Sequence, residues 1–386
     1  CFYTTPIKAL SNQKFHDLVA RHGEDQVGLL TGDTSINSEA PIVVMTTEVL
    51  RNMIYARSRT LDGLGYVVMD EVHYLADRFR GPVWEEVIIS LADSVQLVAL
   101  SATVSNAHEL AEWITTVRGQ TRAVLEDRRP VRLDNLYMLG DKTHDRLHLM
   151  PVLVNGRPNH DAIRLDSEAA RSTRERKPAK AQGRRRLYTP TRLEVVDTLD
   201  RQRMLPAIYF IFSRNQCDEA AKACLAAGVR LTTGHERERI RELADARLDG
   251  IDPVDLAVLG YGQFLAQLEA GIAAHHAGMV PPFKEVVEAC FMEGLVKIVF
   301  ATETLALGIN MPAKSVVLEK LVKYNGETHA EITPGEFTQL TGRAGRRGID
   351  VEGHAIVFWR PGLDPRALAG LASRRTYPLR SSFAPT

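Results

Sequence analysis

Short apolar runs recur along the chain, and the stretches between them carry apolar residues at helical spacing. Tyr66-Val67-Val68-Met69 has no polar alternation, which predicts a parallel strand buried on both faces. Ala207–Phe212 reads the same way, and Ile42–Met45, Gln96–Leu100, Val296–Phe300, Ser315–Leu318 and His354–Phe358 are further strands. Helices are predicted over Ile7–Arg21, Gly81–Ser90, Ala107–Thr116, Asn215–Ala226, Gln263–Glu269 and Pro282–Glu293. Pro6 sits at the opening of the first, where a missing N–H is harmless. Ser213 with Gln216, and Thr333 with Glu336, have capping-box spacing. The helix that starts at Thr333 is expected to run on through Gly348. Strands alternating with helices at short intervals indicate an α/β chain with parallel sheets covered on both faces.

Composition narrows this picture. The chain has 386 residues, enough for two or three cores. Lys plus Arg is 48 and Asp plus Glu is 48, so the formal net charge is zero. That excludes a globally basic nucleic-acid binder and leaves room for a local basic cleft. The four cysteines form no CxxC pair, which argues against a disulfide scaffold or a zinc site and for a reducing compartment. With no 18-residue apolar run and no signal-peptide pattern, no membrane partner is expected and the cytoplasm is the expected location. Periodicity weakens over Leu139–Leu199. The basic run Arg171–Arg186 within it reads as an exposed insertion, either solvated or touching a phosphate backbone.

Candidate chemistry gathers at strand ends. Asp70-Glu71 ends the Tyr66–Met69 strand, at the carboxyl edge where open α/β sheets bind ligands. Adjacent carboxylates there suit phosphate hydrolysis, one ordering Mg²⁺ and the other a water; a solvated acidic turn is the plainer alternative. Hydroxyls at Thr4/Thr5, Thr46/Thr47 and Ser101/Thr103 suit phosphate oxygens, or simple N-capping. His275-His276 lacks ligand partners at metal spacing. Arg343 and Arg346 are three apart, so on a continued helix they share a face and form a bidentate clamp for polyphosphate. Glycines at 342, 345 and 348 would let the backbone approach a partner closely.

The order of these motifs resembles superfamily 2 helicases of the DExH type. Asp70-Glu71-Val72-His73 is similar to their Walker B box, Ser101-Ala102-Thr103 to their coupling motif, and Gln339-Leu340-Thr341-Gly342-Arg343-Ala344-Gly345-Arg346 to their arginine motif. Local matches at Thr31-Gly32-Asp33, Thr47-Glu48, His275-His276 and Phe300–Asn310 narrow the likeness to the Ski-type branch and its actinobacterial HelY-like group. The resemblance implies two tandem RecA-like domains, 1–138 and 201–360. A linker with the basic insertion lies at 139–200 and the start of a winged-helix domain at 361–386. It implies ATP and Mg²⁺ as cofactors, with Asp70 holding Mg²⁺ through water and Glu71 activating the attacking water. Gly308, Asn310, Gln339, Arg343 and Arg346 serve the nucleotide, and His73, Ser101 and Thr103 couple its state to domain closure. Thr5, Pro6, Thr31, Gly32, Asp33, Thr47, Ser213, His276, Thr302 and Glu303 line a nucleic-acid track. The implied activity is 3′-to-5′ translocation on single-stranded or 3′-tailed RNA, or on DNA, by a monomer serving RNA-degradation machinery. No GxxxxGK[ST] phosphate loop occurs in the sequence, so the expected role is that of an internal part of a larger helicase. A non-hydrolysing binding scaffold and a DNA helicase are the alternatives.

Overall fold

The computed structural model describes residues 1–102, 104–126, 128–174, 187–305, 311–324, 328–373 and 378–381. They form two compact units, Cys1–Arg128 with the 375–386 tail, and Arg129–Arg374.

The first unit is built on six strands: β1 (Phe2–Thr5), β2 (Val27–Leu30), β3 (Ser35–Ile36), β4 (Ile42–Thr46), β5 (Tyr66–Met69) and β6 (Gln96–Ala99). Their order is β3-β2-β4-β1-β5-β6, parallel throughout except for the antiparallel β2–β3 pair. One face packs against the helices Thr47–Tyr55, Gly81–Ser90 and Ala107–Arg118. Its core holds Val43, Met45, Val67, Met69, Trp84 and Ile88. The other face is covered by one helix, Lys8–His22, over Val27, Leu29 and Val44. That helix reaches β2, β4 and β1 but leaves the β5–β6 side open, so Tyr66 is 52% and Val98 44% exposed. β5 is therefore buried fully on one face, whereas its unbroken apolar run predicts two. Pro6 lies ahead of the helix, whose N-cap is Ile7.

The second unit begins with β7 (Arg132–Asp141), β8 (Arg146–Pro151), β9 (Leu153–Val154), β10 (Arg157–Pro158) and β11 (Leu187–Tyr188). It continues with β12 (Ala207–Phe210), β13 (Ile272–His275), β14 (Ile298–Ala301), β15 (Ser315–Leu318), β16 (Val322–Tyr324), β17 (His329–Glu331) and β18 (Glu352–Phe358). The main sheet runs β11-β7-β18-β15-β12-β14-β13, with β8 also on β7. Its centre is parallel, and β8 and β11 pair antiparallel with β7. β12 to β15 are buried along their whole length, as continuous apolar runs require. One core lies on each face, the first with Ile208, Phe210, Val299 and Val316, the second with Tyr209, Phe300 and Phe358. The stretch 139–200 holds the end of β7, β8 to β11 and the helices His160–Arg174 and Arg192–Arg201. Residues 175–186, most of the basic run, lie outside the described residues.

Two helix ends depart from expectation. Thr333 and Glu336 form a capping box, but Ser213 makes no side-chain cap. Gln216 instead accepts a 2.9 Å hydrogen bond from Arg192, itself paired with Glu319. A partly buried charge network wins over a neutral cap, because its hydrogen bonds are the stronger kind. The second departure is that the Pro334–Thr341 helix stops well short of Gly348. Ala344 bridges Ala313, and Gly345 turns the chain with φ +88°. Arg343 and Arg346 consequently lie past the helix end and share no helix face.

Candidate functional site

In the first unit the carboxyl ends of β1, β4 and β5 meet at the proposed chemistry. Asp70 follows β5 directly, where its own N–H donates to Thr4 O across the sheet at 2.9 Å. Its Oδ2 accepts from the Tyr3 hydroxyl at 2.7 Å and its Oδ1 from the Glu71 N–H at 3.0 Å. Burial, then the hydrogen bond and charge of Asp70, push the Tyr3 phenol well above its usual range, so it stays a neutral donor. Glu71 sits at φ 54°, ψ 45°, a left-handed conformation that a non-glycine residue adopts at some expense. This turns the chain off the strand and leaves the Glu71 side chain 29% exposed at the sheet edge.

His73 stands behind the pair. Its Nδ1 lies 3.2 Å from Glu71 Oε2 and 3.5 Å from the Ala102 N–H. Burial drives its pKa down to about 4 against the pull of Asp70, so the ring is neutral at neutral pH. The structure thus joins His73 to the Ser101-Ala102 segment; Ser101 is exposed, and Thr103 lies outside the described residues.

The donor set suits Mg²⁺ held through water. A carboxylate offers about four lone-pair positions, and each oxygen of Asp70 has accepted one hydrogen bond. Mg²⁺ keeps most of its waters and takes one or two carboxylates beside phosphate oxygens, which Asp70 with Glu71 can supply.

The hydroxyl groups sit close by. Thr5 Oγ1 lies 2.7 Å from Ser11 Oγ and donates to Ile7 O at 3.1 Å, and Thr47 Oγ1 donates to Thr5 O at 3.2 Å. Thr31 donates to Asp33 at 3.0 Å, and Asp33 pairs with Lys8 at 2.6 Å. The hydroxyls of these threonines are thus committed to hydrogen bonds within the unit. Gly32 is exposed beside them. Sequence reasoning missed Arg80, whose guanidinium donates to Glu48 (Nε to Oε1, 2.9 Å) and to the Pro6 carbonyl. Its partners stand 32 and 74 residues away, so no local pattern marks it.

In the second unit the two histidines diverge. His275 Nε2 meets Glu288 at 2.8 Å, and His276 Nε2 meets Asp218 at 3.1 Å while its Nδ1 accepts from the Gly278 N–H. His275, the last residue of β13, thus meets the Pro281–Met292 helix, and His276, just past the strand, meets the Arg214–Ala226 helix. One carboxylate–imidazole group does converge among the described residues, Asp134, Glu352 and His354. Arg132 donates to both carboxylates at 3.0 and 2.6 Å and already occupies the place of a cation.

Ser213, which makes no side-chain cap, lies three residues past β12 in extended backbone at the start of the Arg214–Ala226 helix. Thr302 Oγ1 lies 2.9 Å from Thr304 Oγ1. Glu303 pairs with Lys323 at 2.6 Å, and Lys323 also reaches Glu336 at 2.6 Å. This unforeseen lysine ties the Thr302-Glu303 segment to the capping box of the Pro334–Thr341 helix. Burial opposes its charge, but the two carboxylates hold its pKa above the ordinary lysine value. Gly308 and Asn310 lie outside the described residues, and Gln339 is half-buried.

Arg346 is held in its own unit. Its Nε and Nη2 both reach Asp350 at 2.8 Å, and its N–H donates to the same carboxylate at 2.9 Å. Gly345, just before it, packs inward. A Cβ on Gly345 would stand 2.6 Å from Val131 Cγ1, and one on Gly353 2.5 Å from Gly345 N. The close approach that Gly345 permits is of this segment to β18, whereas a Cβ on Gly348 would meet open space.

The chain is similar to known proteins along its whole length. Residues 1–110 match the DEAD/DEAH box helicase family, and residues 253–348 match the helicase conserved C-terminal domain. The chain is 57% identical over 394 residues to the probable helicase HelY of Mycobacterium tuberculosis, covering 100% of this chain and 43% of that protein. It is 40% identical over 371 residues to human Superkiller complex protein 2, covering 92% of this chain and 29% of that protein. It is 36% identical over 392 residues to the ATP-dependent RNA helicase mtr4 of Schizosaccharomyces pombe, covering 99% of this chain and 35% of that protein. The chain thus carries superfamily 2 helicase domains on two mostly parallel RecA-like sheets, closely resembles the actinobacterial HelY helicases, and spans less than half the length of these relatives. No helix among the described residues is long and apolar enough to cross a membrane.

Proposed function

We propose that these two helicase domains belong to an ATP-dependent RNA helicase that moves 3′ to 5′ along single-stranded or 3′-tailed RNA and separates duplexes. The observation that carries the reading is the carboxylate pair at the end of β5, with Asp70 oriented by Tyr3 and Glu71 turned out on left-handed backbone. Asp70 would hold Mg²⁺ through water, and Glu71 would orient and deprotonate the attacking water. Mg²⁺, when bound, supplies charge neutralisation to the transferring phosphoryl group. Neutral His73, touching both Glu71 and the 101–102 segment, would report nucleotide state to the rest of the unit. Gly308, Asn310, Gln339, Arg343 and Arg346 are assigned to the nucleotide; for Arg346 this requires that phosphate replace Asp350 on the guanidinium. The loops at Thr5-Pro6, Thr31–Asp33, Thr47, Ser213, His276 and Thr302-Glu303 would grip the strand backbone. RNA-degradation machinery is the proposed partner, because relatives bear the names of a superkiller complex protein and an RNA helicase.

The test uses a protein carrying this chain together with a GxxxxGK[ST] loop. Glu71→Gln should abolish RNA-stimulated ATP turnover, a loss of at least about a hundredfold, and leave ATP affinity unchanged. Turnover equal to wild type refutes the role of Glu71. A second reading is a strand-binding scaffold without hydrolysis, whose salt-sensitive binding would be indifferent to ATP. Competition between matched RNA and DNA strands separates RNA from DNA as substrate.

A further inference from the structure

The loop after the carboxylate pair carries an aromatic ring that the assignments above leave unused. Phe79 is 84% exposed, more open than any other Phe, Tyr or Trp among the described residues. Its backbone is fixed. Asp77 Oδ1 accepts the N–H groups of Phe79 and Arg80 at 2.9 and 2.8 Å, and Asp77 O accepts the Gly81 N–H at 2.9 Å. Arg78 lies with its guanidinium carbon 5.6 Å from the ring centroid. On the other side, Arg80 is anchored to the Glu48 carboxylate and the Pro6 carbonyl. The ring therefore stands on a rigid turn, tied to the two segments, Thr5-Pro6 and Thr47-Glu48, that are assigned to the strand.

The geometry points to Phe79 as a stacking platform for one base of the bound single strand, with Arg78 placed to meet a neighbouring phosphate. This rests on the strand-binding part of the proposed function. A single strand offers a π-face at every nucleotide, so an open, preorganised ring beside a backbone grip binds any base. The contact is sequence-tolerant, as a translocating motor requires. The turn also limits the ordering that binding would otherwise demand.

The test is equilibrium binding of the full chain to a short single-stranded oligoribonucleotide carrying one 2-aminopurine, with its position varied along the strand. Wild type should quench the fluorescence at one position. Phe79→Ala should raise Kd about tenfold and lose the quench. Phe79→Leu, which keeps apolar area without a π-face, should behave like Phe79→Ala, and Phe79→Trp should bind like wild type. An abasic site at the quenched position should remove the difference between wild type and Phe79→Ala. Thermal unfolding should not move, because the ring is in solvent. If Phe79→Ala and Phe79→Leu bind as tightly as wild type with the same quench, the stacking role is refuted and strand binding stands. If wild type binds no strand even at low salt, the strand-binding reading fails and takes this inference with it.

Discussion

Replacing Arg346 by alanine should damage stability as well as any catalytic role, and the two effects can be pulled apart. Asp350 is 6% exposed and Arg346 23%. In Arg346→Ala the carboxylate keeps the backbone N–H at position 346 but loses both guanidinium bonds. Removing one partner of a fully buried pair costs about 3–5 kcal/mol. The retained N–H and the partial exposure of Arg346 reduce this to roughly 2–3 kcal/mol. With a urea m-value near the upper end of about 1–3 kcal/mol/M, the unfolding midpoint of the second unit should fall by about 1 M. Adding Asp350→Asn removes the buried charge at constant shape and should recover at least about half of that loss. Trp359, whose Nε1 donates to Asp166 at 2.9 Å, reports on this unit once Trp84→Phe and Trp113→Phe leave it as the sole tryptophan. Burial by itself would raise the Asp350 pKa, but the hydrogen bonds and charge of Arg346 hold it below 3.8. The folded value is thus depressed, so the pair's contribution is complete above that pH and fades as pH falls below it. An unchanged midpoint in Arg346→Ala, or a double variant no more stable than the single, would refute the reasoning. Any turnover lost by both variants after stability is equalised is then the catalytic share of Arg346.

Two further outcomes follow from the same packing and charge. Gly353→Ala should destabilise the second unit by about 1–3 kcal/mol, because its Cβ meets backbone, Gly345 N at 2.5 Å and Ala344 C at 2.7 Å, which has no rotamer to yield; a wild-type urea midpoint would show that this segment is not pinned to β18. Asp141 is buried, which alone would raise its pKa, but hydrogen bonds from His144, the Thr143 N–H and His148 hold it at about 2. Its stabilisation is therefore present above the ordinary 3.8 and lost as pH falls toward 2, so Asp141→Asn should flatten the acid limb of stability against pH, and an unaltered limb would count against it.

The sequence by itself determined the α/β class, nearly every central strand and the position of the carboxylate pair. Continuous apolar runs such as Ala207–Phe210 satisfy their burial only inside a covered parallel sheet, and a strand's end fixes what projects from its edge. It also gave the Thr333 cap, because that signal spans four neighbouring residues. Tertiary structure alone decided what depends on distant partners. Arg192 drew Gln216 away from a cap that the local spacing favoured. Gly345, fitted against Val131 and Gly353, lies past the end of a helix that local pattern carries on through Gly348. Arg80 and Lys323 found carboxylates 32 and 20 residues away. Periodicity records which face of an element is apolar; the partner of a long charged side chain is set by where whole elements come to rest, and one element's pattern does not contain that.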